Sequence, residues 1–401
     1  MESLFWIVLV AAIAPVVAAA VPRRLVPEVV LLLVGGILVG PFGLELAEVD
    51  APIELLNELG LGMLFLLAGY EIEVDELRGR GGRRALGTWL VCLALAFVTI
   101  SVLGTQNEQH AETAVAIALT STALGTLLPI LKDMQLMGTR FGRTVVNHGT
   151  FGELGPVLAM AILLGVNSPE RSLVTLVVFV GAALLVAAVP TRLFPRARIV
   201  PGLVRAGAET TAQTTVRFTV LLLVTLSMIA IVFELDTILG AFAAGFILRR
   251  VLPGGDERLE TKLDGLAFGF LIPIFFVTSG MAIDPAAIAE APMVMITFVL
   301  LILLVRGGPV LVETLRQREP DGTKSFDTRD SVRVALWAST GLPLIVAVSQ
   351  VAVDAGEMTS ATASILVAGG AVTVLLLPMT ATLIHLRRPT HQQGVSPDRS
   401  S

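Results

Sequence analysis

Two ionisable side chains stand deep inside apolar sequence. Glu153 lies in FGRTVVNHGTFGELGPVLAMAILLG, about twelve residues from either end of an apolar stretch. Glu28, Glu54, Glu71, Glu112 and Glu313 lie near the ends of such stretches, where a carboxylate can reach an interface. An ionised carboxylate at the centre of a membrane helix costs at least about 2.5–3.5 kcal/mol. Protonation removes that cost, so a carboxyl at this depth suits reversible proton binding. The alternative is a neutral Glu hydrogen-bonded in a packed interface. Arg306 lies in ITFVLLILLVRGGPVLV. A guanidinium stays charged, so it cannot carry the proton. It can neutralise a buried acid or cap broken helix ends, or it can snorkel to an interface about two turns away. His148 precedes Glu153 by five residues, and histidine is a residue type that could titrate near neutrality. On a helix that spacing turns it about 140° from the Glu153 face. The spacing favours a packing or interfacial histidine over a site residue, and Asn147 is equally ambiguous. Both are retained only as candidate modulators.

Hydroxyl-rich segments supply the second chemical feature. Thr120-Ser121-Thr122-Ala123-Leu124-Gly125 and Ser339-Thr340-Gly341-Leu342-Pro343 interrupt two apolar stretches and predict discontinuous helices. Non-helical backbone at membrane depth is tolerated only where protein buries it or it lines a cavity. Freed amides, carbonyls and hydroxyls there can face an ion. Alternatively, each hydroxyl returns its hydrogen bond to its own helix. Two such clusters in equivalent positions favour a site, whose cavity would be lined by Thr122, Gly125, Ser339, Thr340 and Gly341.

The chain that positions these residues has 401 residues, 54% hydrophobic and only 15% charged. Soluble domains carry about 25% charged residues, so a polytopic helical membrane protein is expected. A span needs roughly 20 apolar residues. Thirteen candidates lie near 4–21, 26–41, 53–71, 85–105, 112–131, 141–165, 172–191, 214–233, 237–250, 264–282, 291–312, 332–352 and 360–385. The connections alternate between basic and acidic. Arg23 and Arg24, Arg78 to Arg84, Lys132 with Arg140 and Arg143, Arg192 to Arg205, Arg249 to Lys262, Arg316 to Arg333, and Arg387, Arg388 and Arg399 fall on one side. Glu45 to Asp50, Glu108, Glu170 with Arg171, Glu234 with Asp236, Asp284 with Glu290, and Asp354 with Glu357 fall on the other. Cytoplasmic loops carry the Lys and Arg excess. The N-terminus is therefore expected outside and the C-terminus inside. Glu2 and the lack of leading Lys or Arg argue for a first span rather than a signal peptide. The single Cys92 excludes an internal disulfide framework and a multi-Cys metal site.

Three segments recur in the same order. VGGILVG (34–40) resembles AAGFILR (243–249), LFLLAGYEIEVD (64–75) resembles IFFVTSGMAIDP (274–285), and VAIALTSTALG (115–125) resembles VRVALWASTGL (332–342). Gly69 aligns with Gly280. With the orientation above, the copies (about 26–165 and 237–385) lie upside down to each other. Inverted repeats characterise secondary transporters, with the substrate site between the repeats near the midplane.

The ordered set PEVVLLLVGGILVGPFGL (27–44), LGLGMLFLLAGYEIEVDELR (59–78), ALTSTA (118–123), the Glu153 span, LGAFAAGFILRR (239–250) and LIPIFFVTSGMAID (271–284) resembles the monovalent cation:proton antiporters. The likeness is closest to the bacterial sodium and potassium exchanger branch and covers nearly all of 1–388. The resemblance implies a core domain of crossed broken helices beside Glu153 and Arg306, sliding as an elevator against a domain that forms a homodimer. It assigns Glu153 the site shared by a proton and a monovalent cation, Na+ or K+. Thr120 and Ser121 match positions offering oxygen ligands, and Arg306 matches the membrane-embedded Lys or Arg. This chain departs in two places. Its acid is Glu after Gly152, where the family usually has Asp after Asn, Asp or Gln. Where some sodium exchangers carry an acid in the broken helix, it has Ser121. A single carboxylate implies one proton per cation and electroneutral exchange. The resemblance does not extend to the C-terminal nucleotide-binding domain of some potassium-efflux relatives.

The expectation is thus an all-α inner-membrane cation/proton antiporter over 1–388, followed by a disordered cytoplasmic tail over 389–401. It is expected to be no enzyme, to need no cofactor beyond its transported ions and to bind no nucleic acid. No Gly-x-Ser-x-Gly or His-Glu-x-x-His motif is present. The competing readings are a sodium-coupled organic-anion symporter of similar architecture and a pH-gated cation channel.

Overall fold

The computed structural model describes all residues except 21–25, 73–78, 104–108, 165–168, 194–212, 253–254, 320 and 387–401. The expected tail and the basic residues Arg23, Arg24, Arg78, Arg196, Arg198, Arg205, Arg387, Arg388 and Arg399 lie outside the described residues, as does Glu108. The described chain is helical. Its one β-type pairing is an isolated bridge between Arg318 and Lys324.

The first part comprises α1 (Glu2–Ala20), α2 (Glu28–Val39), α3 (Ala51–Tyr70), α4 (Arg80–Leu103), α5 (Gln109–Leu119), α6 (Leu124–Asp133), α7 (Arg140–Leu163) and α8 (Pro169–Leu193). The second comprises α9 (Thr214–Val232), α10 (Thr237–Val251), α11 (Glu257–Leu266), α12 (Ile272–Met281), α13 (Pro285–Glu290), α14 (Pro292–Leu301), α15 (Gly308–Arg316), α16 (Thr328–Ala338), α17 (Leu342–Asp354) and α18 (Ser360–Leu386). Wide-turn π-helical segments, Ala267–Leu271 and Ile302–Gly307, join α11 to α12 and α14 to α15. Each predicted stretch contains helix. Among the described residues, eight helices are long and apolar enough to cross a membrane.

Local chemistry fixes the helix starts. Asp50, Asp236, Asp256, Asp284 and Asp327 each accept a hydrogen bond from a backbone N–H in the first turn of the following helix. This satisfies donors that the helix itself cannot. The two predicted interruptions are present. The chain leaves helix between α5 and α6 at Thr120–Ala123, and between α16 and α17 at Ser339–Gly341.

Glycines set the closest helix contacts. α2 packs on α12, where a Cβ on Gly36 would strike the Val277 carbonyl and one on Gly280 would strike the Leu33 carbonyl. α10 packs on α3, where a Cβ on Gly245 would strike the Leu66 carbonyl and one on Gly69 the Phe242 carbonyl. Small residues let helix backbones approach this closely, which is how membrane helices gain packing energy. The main apolar core runs between these pairs and extends to α4, α7 and α17. A second cluster joins α6, α7 and α16 around Trp337 and Phe141.

Candidate functional site

The site is built where the two interruptions cross. Thr122 N–H donates to the Gly152 carbonyl of α7 at 2.8 Å, and Ala123 N–H donates to the Thr340 carbonyl at 2.6 Å. The Thr122 hydroxyl donates to the Ala338 carbonyl, the last residue of α16. A Cβ on Gly341 would collide with Ser121, so glycine is required at the crossing. The other hydroxyls turn inward: Thr120 donates to Ile117, Ser121 to Ala118, Ser339 to Ala335 and Thr340 to Trp337. These are the own-helix bonds that compete with ion binding. The oxygens of Thr120 and Ser121 keep only their lone pairs for a ligand.

The expected cavity is not open at the crossing. Thr120, Ser121, Thr122, Ser339 and Thr340 are all at most 1% exposed. The reason is Arg306, which fills the space. It sits in the π-helical segment Ile302–Gly307 and is 0% exposed. Its Nε donates to the Thr122 hydroxyl at 3.0 Å and to the Ala338 carbonyl at 3.3 Å. Its Nη2 donates to the His148 carbonyl at 2.7 Å, and its Nη1 lies 3.8 Å from the Cys92 sulfur. Snorkelling is thereby excluded. Arg306 instead caps the C-terminal end of α16, where a cation meets the negative end of the helix dipole.

Glu153 takes the complementary position. It is 5% exposed, on α7, and its carboxylate accepts from the backbone N–H of Leu124, the first residue of α6. An anion belongs at this positive helix end. Its Oε2 has no hydrogen-bond partner among the described residues. Glu153 and Arg306 therefore serve opposite ends of the two half-helices rather than each other. Gly152 leaves no room for a side chain. A Cβ there would collide with both the Arg306 guanidinium and Thr122.

A second carboxylate reaches this place. Glu71 caps the C-terminus of α3 and interacts electrostatically with Glu153. Its Oε2 comes within 3.8 Å of where a Cβ on Gly125 would lie. Gly125 is part-exposed, unlike the residues of the crossing. His148 is buried, with Nε2 3.5 Å from Glu313 Oε2 and no hydrogen-bond partner for Nδ1 among the described residues. Asn147 lies against Gly81 of α4, away from Glu153.

A protein-family model described as the transmembrane part of the sodium/hydrogen exchanger matches residues 8–386. The chain belongs to the sodium/hydrogen exchanger family. Among curated relatives, this chain is 27% identical over 285 residues to cation/H(+) antiporter 18 of Arabidopsis thaliana, covering 66% of this chain and 35% of that protein. It is 24% identical to the Na(+)/H(+)-K(+) antiporter GerN of Bacillus cereus, covering 64% of this chain and 65% of that one. The chain spans about half or less of the length of several curated relatives it matches. The fold is similar to that of the sodium proton antiporter MjNhaP1 of Methanocaldococcus jannaschii. That match has a TM-score of 0.63 at 17% identity and covers 96% of this chain and 99% of that one.

In this chain, Glu153, Arg306, Thr122 and Gly341 converge, and Thr120, Ser121, Ser339 and Thr340 surround them. The structure adds Glu71 to this neighbourhood. Its position next to the end of a span suggested an interfacial carboxylate.

Proposed function

We propose that this exchanger moves a monovalent cation, Na+ or K+, against protons across the cytoplasmic membrane, with Glu153 as the group that either one occupies. The observation carrying this reading is the buried Glu153 carboxylate at the start of α6, with one oxygen unpartnered, in a chain of this family. A bare carboxylate in that environment is costly. A proton or a cation each removes its charge, so a core carrying either can change sides, and an empty core resists. Because one carboxyl exchanges one proton for one cation, transport is electroneutral.

The proposed architecture has thirteen spans with the N-terminus outside and the C-terminus inside. Two inverted repeats are supported by reciprocal packing. α2 corresponds to α10 and α3 to α12 in the sequence repeat. α2 packs on α12 through Gly36 and Gly280, while α10 packs on α3 through Gly245 and Gly69. Exchanging the copies maps one contact onto the other, as a pseudo-two-fold axis requires. The crossed half-helices with α4, α7, α14 and α15 form the moving core. α1 to α3 and α9 to α12 form the scaffold and the homodimer interface.

The test is proton flux in proteoliposomes on addition of NaCl or KCl at several pH values. Wild type should exchange, and Glu153→Gln should fold yet lose cation-dependent proton movement by at least about a hundredfold. Full exchange by that variant removes the central role of Glu153. A current proportional to flux removes electroneutrality.

A further inference from the structure

We propose that the groove between α4 and α15 binds one phospholipid with a phosphoethanolamine headgroup. The proposal is independent of the role of Glu153. The two helices pack against each other and leave a cavity of about 500 Å³ beside them. Residues three or four apart share a helix face, and that spacing gathers the lining. Arg84, Thr88 and Val91 line it from α4. Glu313, Arg316 and Gln317 line it from the last turn of α15 and its end. Gly87 lies among them, and a Cβ there would meet nothing within 4 Å. The space beside α4 is therefore open.

The polar lining calls for two charges at once. Arg84 lies near the start of α4, Arg316 ends α15, and both are exposed. Basic side chains at the ends of apolar helices reach the layer of lipid phosphates, and guanidiniums pair well with phosphate oxygens. Glu313 is part-buried, and an ionised carboxylate only accepts hydrogen bonds. Gln317 Oε1 is buried, with no hydrogen-bond partner among the described residues. A phosphate alone would leave both acceptors unmet and would be repelled by Glu313. A headgroup with an ammonium beside its phosphate satisfies all four groups: the phosphate meets the guanidiniums, and the N–H donors meet Glu313 and Gln317. A choline headgroup has no N–H to donate. Val91 lies seven residues beyond Arg84, about 10 Å along the helix. Val91 and Val312 are exposed and give an acyl chain an apolar track next to the headgroup. The groove also reaches toward the crossing. Glu313 Oε2 lies 3.5 Å from His148 Nε2, and the His148 carbonyl accepts from Arg306.

The experiment is native mass spectrometry of the full chain released from detergent, titrated with phosphatidylethanolamine, phosphatidylcholine or phosphatidylglycerol of matched acyl chains. Wild type should hold one phosphatidylethanolamine, bound about tenfold or more tightly than either other lipid. Arg84→Ala combined with Arg316→Ala should weaken that binding by about tenfold or more. Gly87→Phe keeps every charge but fills the groove, and it should weaken binding equally. Glu313→Gln should erase the preference for phosphatidylethanolamine over phosphatidylglycerol. Equal binding of the three lipids by wild type, or tighter binding of phosphatidylglycerol, overturns the proposal. So does unchanged phosphatidylethanolamine binding in whichever groove variant folds. Soluble phosphoethanolamine should displace the lipid at concentrations where inorganic phosphate does not. Equal displacement by both would mark a simple anion site and overturn the headgroup assignment.

Discussion

At the residue scale, the buried guanidinium is the strongest constraint. Arg306 donates to carbonyls of two elements, His148 on α7 and Ala338 at the end of α16, and to the Thr122 hydroxyl oxygen as a third partner. Hydrogen bonds to charged groups contribute about 1.5–3 kcal/mol each, and unpaired buried carbonyls add a penalty. Arg306→Ala should therefore destabilise the protein by about 3 kcal/mol or more, read as a lower melting temperature in detergent. Arg306→Lys should recover only part, because an ammonium cannot reproduce the planar fork. An unchanged melting temperature for Arg306→Ala would show that these bonds hold nothing together. Gly152→Ala tests the same pocket from the other side. In an ordinary helix interior that change stabilises by about 0.5–1 kcal/mol. Here the new methyl would meet Arg306 and Thr122, so the sign should reverse. The depth of Glu153 and the presence of Arg306 were legible in sequence because charges are scarce there. Gly152 was not, since its reason lies on a helix more than a hundred residues away. Nor could sequence show which hydroxyls reach across the crossing: Thr120, Ser121 and Thr122 are chemically alike, and only the geometry of the crossing brings Thr122 to Ala338 and Ser121 to Gly341.

At the scale of elements, two glycine-keyed pairs fix how the helices meet. Gly245 of α10 and Gly36 of α2 each sit where a Cβ would strike a backbone carbonyl of the neighbouring helix. Backbone cannot retreat as a side-chain tip can, so overpacking should cost about 1–3 kcal/mol. Gly245→Ala and Gly36→Ala should each lower the melting temperature, whereas Gly308→Ala, whose Cβ meets nothing within 4 Å, should not. Equal behaviour of all three would mean that close approach does not matter at these crossings. The helical breaks were readable, since Ser, Thr, Gly and Pro interrupt otherwise apolar runs. The depth of Glu71 was not. Counting residues from a span end assumes helices of equal length and tilt, and α3 ends beside the start of a half-helix that begins inside the protein. The same count set Glu313 at an interface, yet it reaches the buried His148.

At the scale of the whole molecule, charge asymmetry carries the orientation. Pro292–Arg316 is one 25-residue apolar helix containing Arg306. At 1.5 Å per residue it is about 37 Å long, enough to cross a bilayer core of about 30 Å. Its two ends must then face opposite compartments. Glu290 precedes it, whereas Arg316, Arg318 and Lys324 close it. Since retained Lys and Arg mark the cytoplasmic side, Glu290 should lie outside and Lys324 inside. The chain itself provides a quiet background for testing this. Its only cysteine, Cys92, is buried beside Arg306, so a membrane-impermeant maleimide should leave the wild type unlabelled. Glu290 and Lys324 are both exposed. Glu290→Cys should label in intact cells, and Lys324→Cys only after the membrane is opened. The reverse pattern would invert the orientation. Labelling of both in intact cells would mean that the 292–316 helix does not cross the bilayer, and the alternation of charged connections would lose its explanation.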